Sequence, residues 1–355
     1  MTLVGKRLLD TKLTGLPNRA SFFLSALVAF CLLALSGCDS RPEIIKISGT
    51  KMGTSYHITV VADQPAPDDL AERIDAALDL VDLSMSTYKP SSEISRFNQL
   101  PVDVEQAISH EFSQVLEVSQ DVWEQTSGAF DPTVGPLVDL WGFGPAPALD
   151  VVPGDNAIAL ALERIGFEHL QQSAQLISKH KPVRLDLSAV AKGYAVDLVA
   201  DLLEMLALPD YLVEVGGEMR LGGSNPEGQA WRVAVEMPTL MPQVQRVIAA
   251  RDIAVATSGD YRNYFEKDGK RYSHTIDPRT GRPITHSLAS VTVLAQTCAY
   301  ADAWATALMV LGEEQGMALA ETLQLPVYML VKDGDGFKAI SSAAFEPFLN
   351  RQQEI

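Results

Sequence analysis

The sequence has few cysteines, few aromatic residues and no excess of positive charge. Its 355 residues include three cysteines and 7% aromatic residues, and the formal net charge is −17. Nucleic-acid binding needs clustered lysine and arginine to neutralise phosphates, so this charge argues against a nucleic-acid partner. There is no G-x-G-x-x-G between a strand and a helix and no P-loop. H-E-x-x-H and C-x-x-C are also absent, and the six histidines are scattered, which disfavours a zinc site.

The N-terminus has the pattern of an export signal. Basic residues precede an apolar run from Ser21 to Gly37, which has the length of a signal-peptide core and is short for a membrane span. The run ends in "LSGC", a bacterial lipobox pattern that predicts cleavage of residues 1–37 and attachment of diacylglycerol to Cys38. An uncleaved signal anchor is the alternative. Asp39 resembles the signal that retains enteric-type lipoproteins in the inner membrane, where the protein would face the periplasm.

The cysteine count of the exported chain excludes an internal disulfide. Cys31 leaves with the signal segment and Cys38 carries the lipid, so only Cys298 is left. Since no histidine lies near Cys298 in the sequence, we expect a buried structural thiol there and consider a nucleophile as the alternative.

Strand and helix patterns alternate without a strict βαβ order, which predicts an α+β fold with mixed or antiparallel sheets packed against helices. We expect a tether over residues 38–47 and a single catalytic domain over 48–350. Helical periodicity covers residues 65–86, 105–127, 156–166 and 192–208, and strand patterns cover 56–62, 183–190, 211–223, 231–238, 253–259, 289–295 and a hairpin over 326–341.

A carboxylate interrupts the apolar segment "CAYADAWATALMVLG". Asp302 is its only charged residue, and Thr306 follows one helical turn later on the same face. A buried carboxylate is costly unless it is paired, hydrogen-bonded or bound to metal. Two hard oxygen donors suit Mg²⁺ or Ca²⁺, and the alternative is a carboxylate that hydrogen-bonds a neighbouring backbone group.

Two further segments carry candidate chemistry. In "LDLSAVAKGYAVD" an expected strand with Asp186 leads to Lys192 at the start of a helix, where free N–H groups and the helix dipole suit phosphate. In "YSHTIDPRTGRP" His274 is a candidate general base and Asp277 a possible orienting partner. A solvated lysine and a structural histidine are the alternatives.

The order of the motifs along the chain is more specific than any one of them. The sequence resembles the ApbE family of FAD:protein FMN transferases from about Ser48 to the C-terminus. The segments that carry the resemblance are "GTKMGTSY", "STYKPSSEISRFN", "SGAFDPTVGPL", "LDLSAVAKGYAVD", "VEVGGEMRLGG", "TSGDYRNYF", "SHTIDPRTGRP" and "ADAWATALMVLG".

The resemblance implies a Mg²⁺-dependent reaction in which FAD is split at its pyrophosphate and FMN is transferred to a threonine hydroxyl of a protein, with release of AMP. The implied protein partners are subunits of membrane redox complexes, such as sodium-pumping quinone reductases and Rnf-type complexes. An FAD pyrophosphatase that uses water, and a lipoprotein that binds FAD without turning it over, are the alternatives.

The resemblance also assigns residues, each by its position in the matching motif. His274 takes the proposed catalytic role, and the metal position corresponds to Asp302, Thr306 and the backbone carbonyl of Ala189. The implied FAD-binding residues are Met52, Tyr88, Ala129, Phe130, Asp131, Asp186, Lys192 and Ile276.

Overall fold

The computed structural model describes residues 42–144, 152–238, 244–260, 264–267 and 269–350. The expected signal segment, Cys38 and the first part of the expected tether lie outside the described residues. Within this part of the chain, no helix is both long enough and apolar enough to cross a membrane.

Seventeen strands and eight α-helices make up the described part of the chain, together with two short 3₁₀ turns, Phe167–His169 and Ala343–Phe345. The helices are α1 (Leu70–Met85), α2 (Glu93–Gln99), α3 (His110–Gln125), α4 (Gly135–Leu140), α5 (Asp155–Leu162), α6 (Ala191–Met205), α7 (Cys298–Leu323) and α8 (Glu346–Asn350). The strands are β1 (Glu43–Lys51), β2 (Thr54–Ala62), β3 (Gln106–Ala107), β4 (Leu170–Ser173), β5 (Leu176–Lys179), β6 (Asp210–Val215), β7 (Glu218–Gly222), β8 (Trp231–Glu236), β9 (Val244–Ala250), β10 (Ile253–Gly259), β11 (Tyr264–Lys267), β12 (Lys270–Ser273), β13 (Ile276–Asp277), β14 (Arg282–Pro283), β15 (Leu288–Ala295), β16 (Val327–Asp333) and β17 (Gly336–Ser341).

Eight of these strands form one antiparallel sheet in the order β1-β2-β6-β7-β10-β15-β16-β17. The helices α6 and α7 pack on this sheet and on each other, and α1 packs on α6. The α+β prediction is therefore confirmed, with an antiparallel sheet as the main element.

Hydrophobic side chains cover both faces of the sheet. On β15, Val291 and Val293 join the core under the helices, whereas Leu294 joins a second core under the β8–β9 hairpin. Seven of the eight residues of β15 are buried, because both faces of this central strand are covered. The polar residues of the strand, Ser290 and Thr292, are therefore buried together with the apolar ones.

Two sequence-based boundaries need correction. The expected tether, residues 38–47, overlaps β1, which begins at Glu43 and pairs with β2 along its whole length, with Ile45 and Ile47 partly buried. The expected strand over residues 183–190 does not form. Its apolar side chains are buried, but its backbone bonds to side chains and a loop instead of a strand: the side chain of Asn98 pairs with Leu185 N–H and C=O, and Asp186 N donates to Pro132 O.

The helix α7 is broken at Gly312, which has a φ of 78° and lies against the ring of His286. Its N-terminus has no side-chain cap from Thr297. Instead, the Asp197 carboxylate of α6 accepts hydrogen bonds from Cys298 N and Ala299 N, both at 2.8 Å. Cys298 itself is completely buried, and burial raises the pKa of its thiol, which fits the structural interpretation of this cysteine.

Candidate active site

One cavity of about 580 Å³ is lined by most of the site residues that the sequence predicts. It lies where the start of α6, the first half of α7, the turn before β7, the end of β10 and the loop after α3 meet. Ten of the twelve residues predicted for FAD, metal and catalysis line it: Ala129, Phe130, Asp131, Asp186, Ala189, Lys192, His274, Ile276, Asp302 and Thr306.

The carboxylate of Asp302 is buried at the wall of this cavity, with 4% of the residue exposed. Its Oδ2 accepts a hydrogen bond from Gly193 N at 3.1 Å and lies 3.4 Å from Lys192 Nζ. Thr306 follows on the same face of α7, and its hydroxyl lies 3.2 Å from the Ser258 hydroxyl. Asp302 therefore accepts a hydrogen bond from a backbone N–H, as the alternative to a metal site predicts. Asp302 and Thr306 also line one cavity, as a metal site would require.

A second buried carboxylate, Glu218, completes a charged cluster that sequence reasoning did not assign. Lys192 Nζ lies 3.4 Å from Glu218 Oε1 and 3.4 Å from Asp302 Oδ2. Burial disfavours the charge on Lys192, but the two carboxylates outweigh burial and raise the pKa of its ammonium. Burial and the charge of Asp302 raise the pKa of Glu218. Its Oε2 is buried without a hydrogen-bond partner.

Two loops that are far apart in sequence meet at the cavity wall. Asp186 N donates to Pro132 O at 2.7 Å, and the Asp186 carboxylate accepts hydrogen bonds from the backbone and hydroxyl of Ser188. Asp131 accepts from Thr133 N at 2.8 Å and from the Thr133 hydroxyl at 2.6 Å. Burial raises the pKa of Asp131 to about 6, against these hydrogen bonds, which lower it.

The start of α6 faces the same cavity. The helix begins at Ala191, as the sequence predicts for the Lys192-Gly193 step, and Val190 provides no side-chain cap. Gly193 is required by space, because a Cβ there would lie 2.2 Å from the carbonyl oxygen of Cys298 at the start of α7. This close approach places Lys192 beside Asp302.

His274 and Ile276 also line the cavity, and the ring of His274 makes an edge contact with Phe143. The suggestion that Asp277 orients His274 is not supported. Both Asp277 oxygens bond to the Arg279 guanidinium, each at 2.9 Å. This ion pair fixes the tight turn that follows β13.

Two predicted residues, Met52 and Tyr88, do not line the cavity. Met52 has a φ of 55° in the turn between β1 and β2 and packs against the main core. Tyr88 follows the end of α1 and is 80% exposed. The next residues of the β1–β2 hairpin do approach the cavity, since Thr54 packs against Gly216, one of the lining residues.

A metal ion at this site would depend on oxygen donors of mixed kind. No cluster of three or more His, Cys, Asp or Glu side chains with metal-binding geometry occurs among the described residues. Asp302, Thr306 and Ala189 line the same cavity as Glu218, whose Oε2 has no hydrogen-bond partner. One carboxylate with neutral oxygens suits Mg²⁺, which keeps several water or phosphate ligands. The residues present therefore fit such an ion.

The cavity combines apolar and charged walls. Phe130, Phe143 and Ile276 offer surfaces for a ring system, and Lys192 with the start of α6 offers positive charge for a phosphate. His274 is an acid or base within the same space. Together these groups can hold a ligand that has flat rings joined to phosphates and can assist transfer at phosphorus.

Comparison with known proteins agrees with this description. Residues 52–329 match the sequence model of the ApbE family. The FAD:protein FMN transferase of Vibrio cholerae is 48% identical over 324 residues, which cover 90% of this chain and 97% of that protein. The FAD:protein FMN transferase of Haemophilus influenzae is 41% identical over 335 residues, covering 91% of this chain and 97% of that protein.

Solved structures are similar over the same range. The flavin transferase ApbE from Vibrio cholerae superposes with a TM-score of 0.81 at 47% identity, covering 87% of this chain and all of that one. The apo form of the flavinyl transferase ApbE from Pseudomonas stutzeri gives a TM-score of 0.81 at 38% identity, covering 87% of this chain and 97% of that chain.

Proposed function

The chain is a transferase of the ApbE family, and we propose from this premise that it transfers FMN from FAD to a threonine hydroxyl of a protein substrate, with Mg²⁺ and with release of AMP. The observation that carries the proposal is the convergence of ring-binding, phosphate-binding and oxygen-donor groups on one cavity. Each group comes from a different motif of the chain.

FAD would lie with its rings against the apolar walls and its diphosphate toward Lys192 and the start of α6. Lys192 is suited to this role because Asp302 and Glu218 keep it charged. A charged group is needed here, since the formal charge of −17 repels an anionic substrate at long range. Lys192 also counters the negative charge that develops on the phosphoryl oxygens.

Ala189 C=O, Asp302 and Thr306 would hold Mg²⁺. When bound, the ion supplies positive charge that offsets the charge of the diphosphate. Buried apolar neighbours fix the position of Asp302: Ala301, Ala303 and Trp304 are each 3% exposed or less. The carboxylate therefore needs no reorganisation when a ligand binds.

In the transfer step, the threonine oxygen forms a bond to the phosphorus of the FMN half of FAD. The bond from that phosphorus to the bridging oxygen breaks, and AMP leaves with the electron pair. His274 would take the threonine proton, because an unassisted hydroxyl is a poor nucleophile. An imidazole can both accept and release a proton, so His274 could pass the proton on to solvent or to AMP.

The N-terminal sequence supports an extension of this proposal to the place of action. Lipid attachment at Cys38 would tether the enzyme to the periplasmic face of the inner membrane. Protein substrates would then be periplasmic domains of membrane redox complexes, such as sodium-pumping quinone reductases or Rnf-type complexes.

Mass spectrometry of an acceptor protein tests the proposal. A recombinant quinone-reductase subunit that contains Ser-Gly-Ala-Thr-Thr is incubated with FAD, Mg²⁺ and residues 42–355. We expect a mass gain of one FMN on a threonine and an equal amount of AMP. Release of FMN and AMP without attachment would support a pyrophosphatase instead, and tight FAD binding without AMP would support a storage protein.

A further inference from the structure

A second cavity of about 620 Å³ lies beside the proposed FAD site, between the β8–β9 hairpin and the main sheet. Three residues line both cavities: Gly216, Glu218 and Thr257. We propose that this second cavity is the acceptor site, which holds the segment of the protein substrate that carries the threonine. The inference rests on the proposed function and adds to it the place where the acceptor binds.

The boundary between the two cavities is thin. Gly216 has a φ of 64°, and a Cβ on it would lie 2.9 Å from the Thr54 side chain and 3.3 Å from Lys192 Cδ. Thr54 lines only the second cavity and Lys192 only the first. A single backbone step therefore separates the lysine expected at the diphosphate from the second cavity. A hydroxyl held beside Gly216 would therefore lie next to Lys192, the residue that we expect to contact the diphosphate.

Glu218 marks the point where the two spaces meet. Its side chain is 7% exposed, with one oxygen near Lys192 and the other, Oε2, buried without a hydrogen-bond partner. Buried polar atoms of a native protein are nearly always satisfied, so an exception at a cavity wall is a candidate contact for a ligand group. An acceptor hydroxyl, or an amide N–H next to it in the substrate chain, is such a group.

The lining of the second cavity fits a polypeptide better than a second nucleotide. The FAD cavity has aromatic residues in its wall, but the second cavity has none. Its charged residues are Arg232 and three carboxylates, Glu214, Glu218 and Glu236, so the excess is negative and disfavours another phosphate. Backbone and small hydroxyl groups, such as those of Thr54, Ser55 and Ser290, offer hydrogen bonds to a peptide.

The strand that forms the outer wall has room for an extended partner. The β8–β9 hairpin is a two-stranded sheet of its own in the described part of the chain, so β8 has a strand partner on one side only. Arg232, Ala234 and Glu236 on β8 are exposed and are among the residues that line the cavity. Extended segments commonly bind along such strands, where backbone groups give affinity and side chains give selectivity.

Filling the cavity tests the proposal. Ala234 lines the second cavity but not the first, so Ala234→Trp adds a large side chain to the wall of the second cavity alone. The matched control is Ala339→Trp, at an exposed alanine of the edge strand β17 that lines neither cavity. FAD affinity, the concentration of the quinone-reductase subunit at half-maximal transfer rate, and direct binding of that subunit to immobilised enzyme are measured for each. Thermal unfolding checks that both variants fold.

We expect Ala234→Trp to bind FAD as the wild type does and to need about tenfold or more of the subunit for half-maximal transfer. Ala339→Trp should match the wild type. Arg232→Glu is a smaller change at the same cavity and should also weaken subunit binding. It replaces Ala234→Trp if that variant does not fold. The proposed acceptor site would be wrong if the folded cavity variants needed the same subunit concentration as the wild type for half-maximal transfer. It would also be wrong if these variants lost affinity for FAD.

The two proposals fail in different ways. If the wild-type enzyme binds the subunit but attaches no flavin, the proposed function fails, and reduced binding by Ala234→Trp would still support the docking site. If the wild type attaches flavin and the cavity variants do so with unchanged half-saturation, the function stands and the site does not.

Discussion

Two buried acidic clusters lie about one helical turn apart at the start of α7, and they differ in how completely their charges are satisfied. In the first, each Asp197 oxygen accepts a backbone N–H of α7 at 2.8 Å, and Arg220 adds an ion pair at 3.1 Å. In the second, Lys192 lies 3.4 Å from both Asp302 and Glu218, and Glu218 Oε2 has no partner.

The difference separates a structural role from a functional one. A fully bonded carboxylate fixes its surroundings and has no capacity left for a ligand. A cluster with long ion pairs and an unused oxygen is costly to bury, and binding of a ligand removes that cost. We infer that the Asp197 cluster positions α7 and that the Lys192 cluster acts on substrate. The predictions below test this division.

The largest effect is expected for Asp302→Ala. Loss of the expected metal ligand should reduce the transfer rate by at least about 1,000-fold, because the charge on the diphosphate is no longer offset. The variant should still fold, since the change removes one hydrogen bond from Gly193 N and one of the two ion pairs of Lys192, which keeps Glu218 as a partner. Initial rates of the variant and the wild type are measured across a Mg²⁺ titration. If the variant is as active as the wild type at every Mg²⁺ concentration, Asp302 is not a metal ligand.

A smaller catalytic loss is expected for His274→Ala, in the lining of the same cavity. General-base assistance contributes about 100-fold or more, so transfer should fall by that amount while FAD binding is retained. Fluorescence titration gives the affinity, and single-turnover transfer gives the rate. The conservative variant His274→Gln separates a proton-transfer role from packing against Phe143, because it restores bulk without a base. A variant with full activity would exclude His274 as the base.

The helices that carry the two acidic clusters were predictable from the sequence. Helical periodicity located α1 and α6, and the apolar run over residues 298–312 located the first part of α7. The Asp302–Thr306 spacing placed two oxygen donors on one face of that buried helix. Such patterns involve residues that are close together in the sequence, so they can be recognised without knowledge of the fold. The motif order added Asp131, Asp186 and His274, although none of them is convincing alone.

What could not be predicted depends on distant contacts. Glu218 was missed because its partners, Lys192 and Asp302, lie 26 and 84 residues away in the sequence. The Gly216-Gly217 step before it was the available signal, since two glycines ahead of a strand indicate a close approach. Asp197 was missed for the same reason, as its bonds go to an N-terminus about 100 residues later. The expected strand at residues 183–190 failed because the side chain of Asn98 took the place of a neighbouring strand.

In the structural cluster, Asp197→Ala should lower the free energy of unfolding, with only a small effect on the transfer rate. Two buried N–H groups of α7 lose their acceptor, which costs about 3 kcal/mol of unfolding free energy. Urea unfolding measures this loss. Asp201→Ala is the matched control, because Asp201 also pairs with Arg220, at 2.9 Å, but its side chain is 57% exposed. Its loss should cost less than about 1 kcal/mol. Equal destabilisation by the two variants would contradict the capping role.

The smallest effect we predict is a pH dependence of stability. Burial raises the pKa of Asp197 from 3.8 to about 6, although the N–H groups and Arg220 lower it. The native state therefore binds more protons than the unfolded state between these values. The contribution of Asp197 is most favourable below pH 4 and decreases as pH rises to about 6, by up to about 3 kcal/mol.

Asp197→Asn lacks this titration, so its unfolding free energy relative to the wild type should improve between pH 4 and pH 7. Urea unfolding of both proteins at a series of pH values gives that difference, in which the titration of all other groups cancels. A difference that stays constant with pH would show that Asp197 keeps an ordinary pKa. The two N–H donors and Arg220 would then fully offset the cost of burying this carboxylate, and its contribution to stability would not depend on pH.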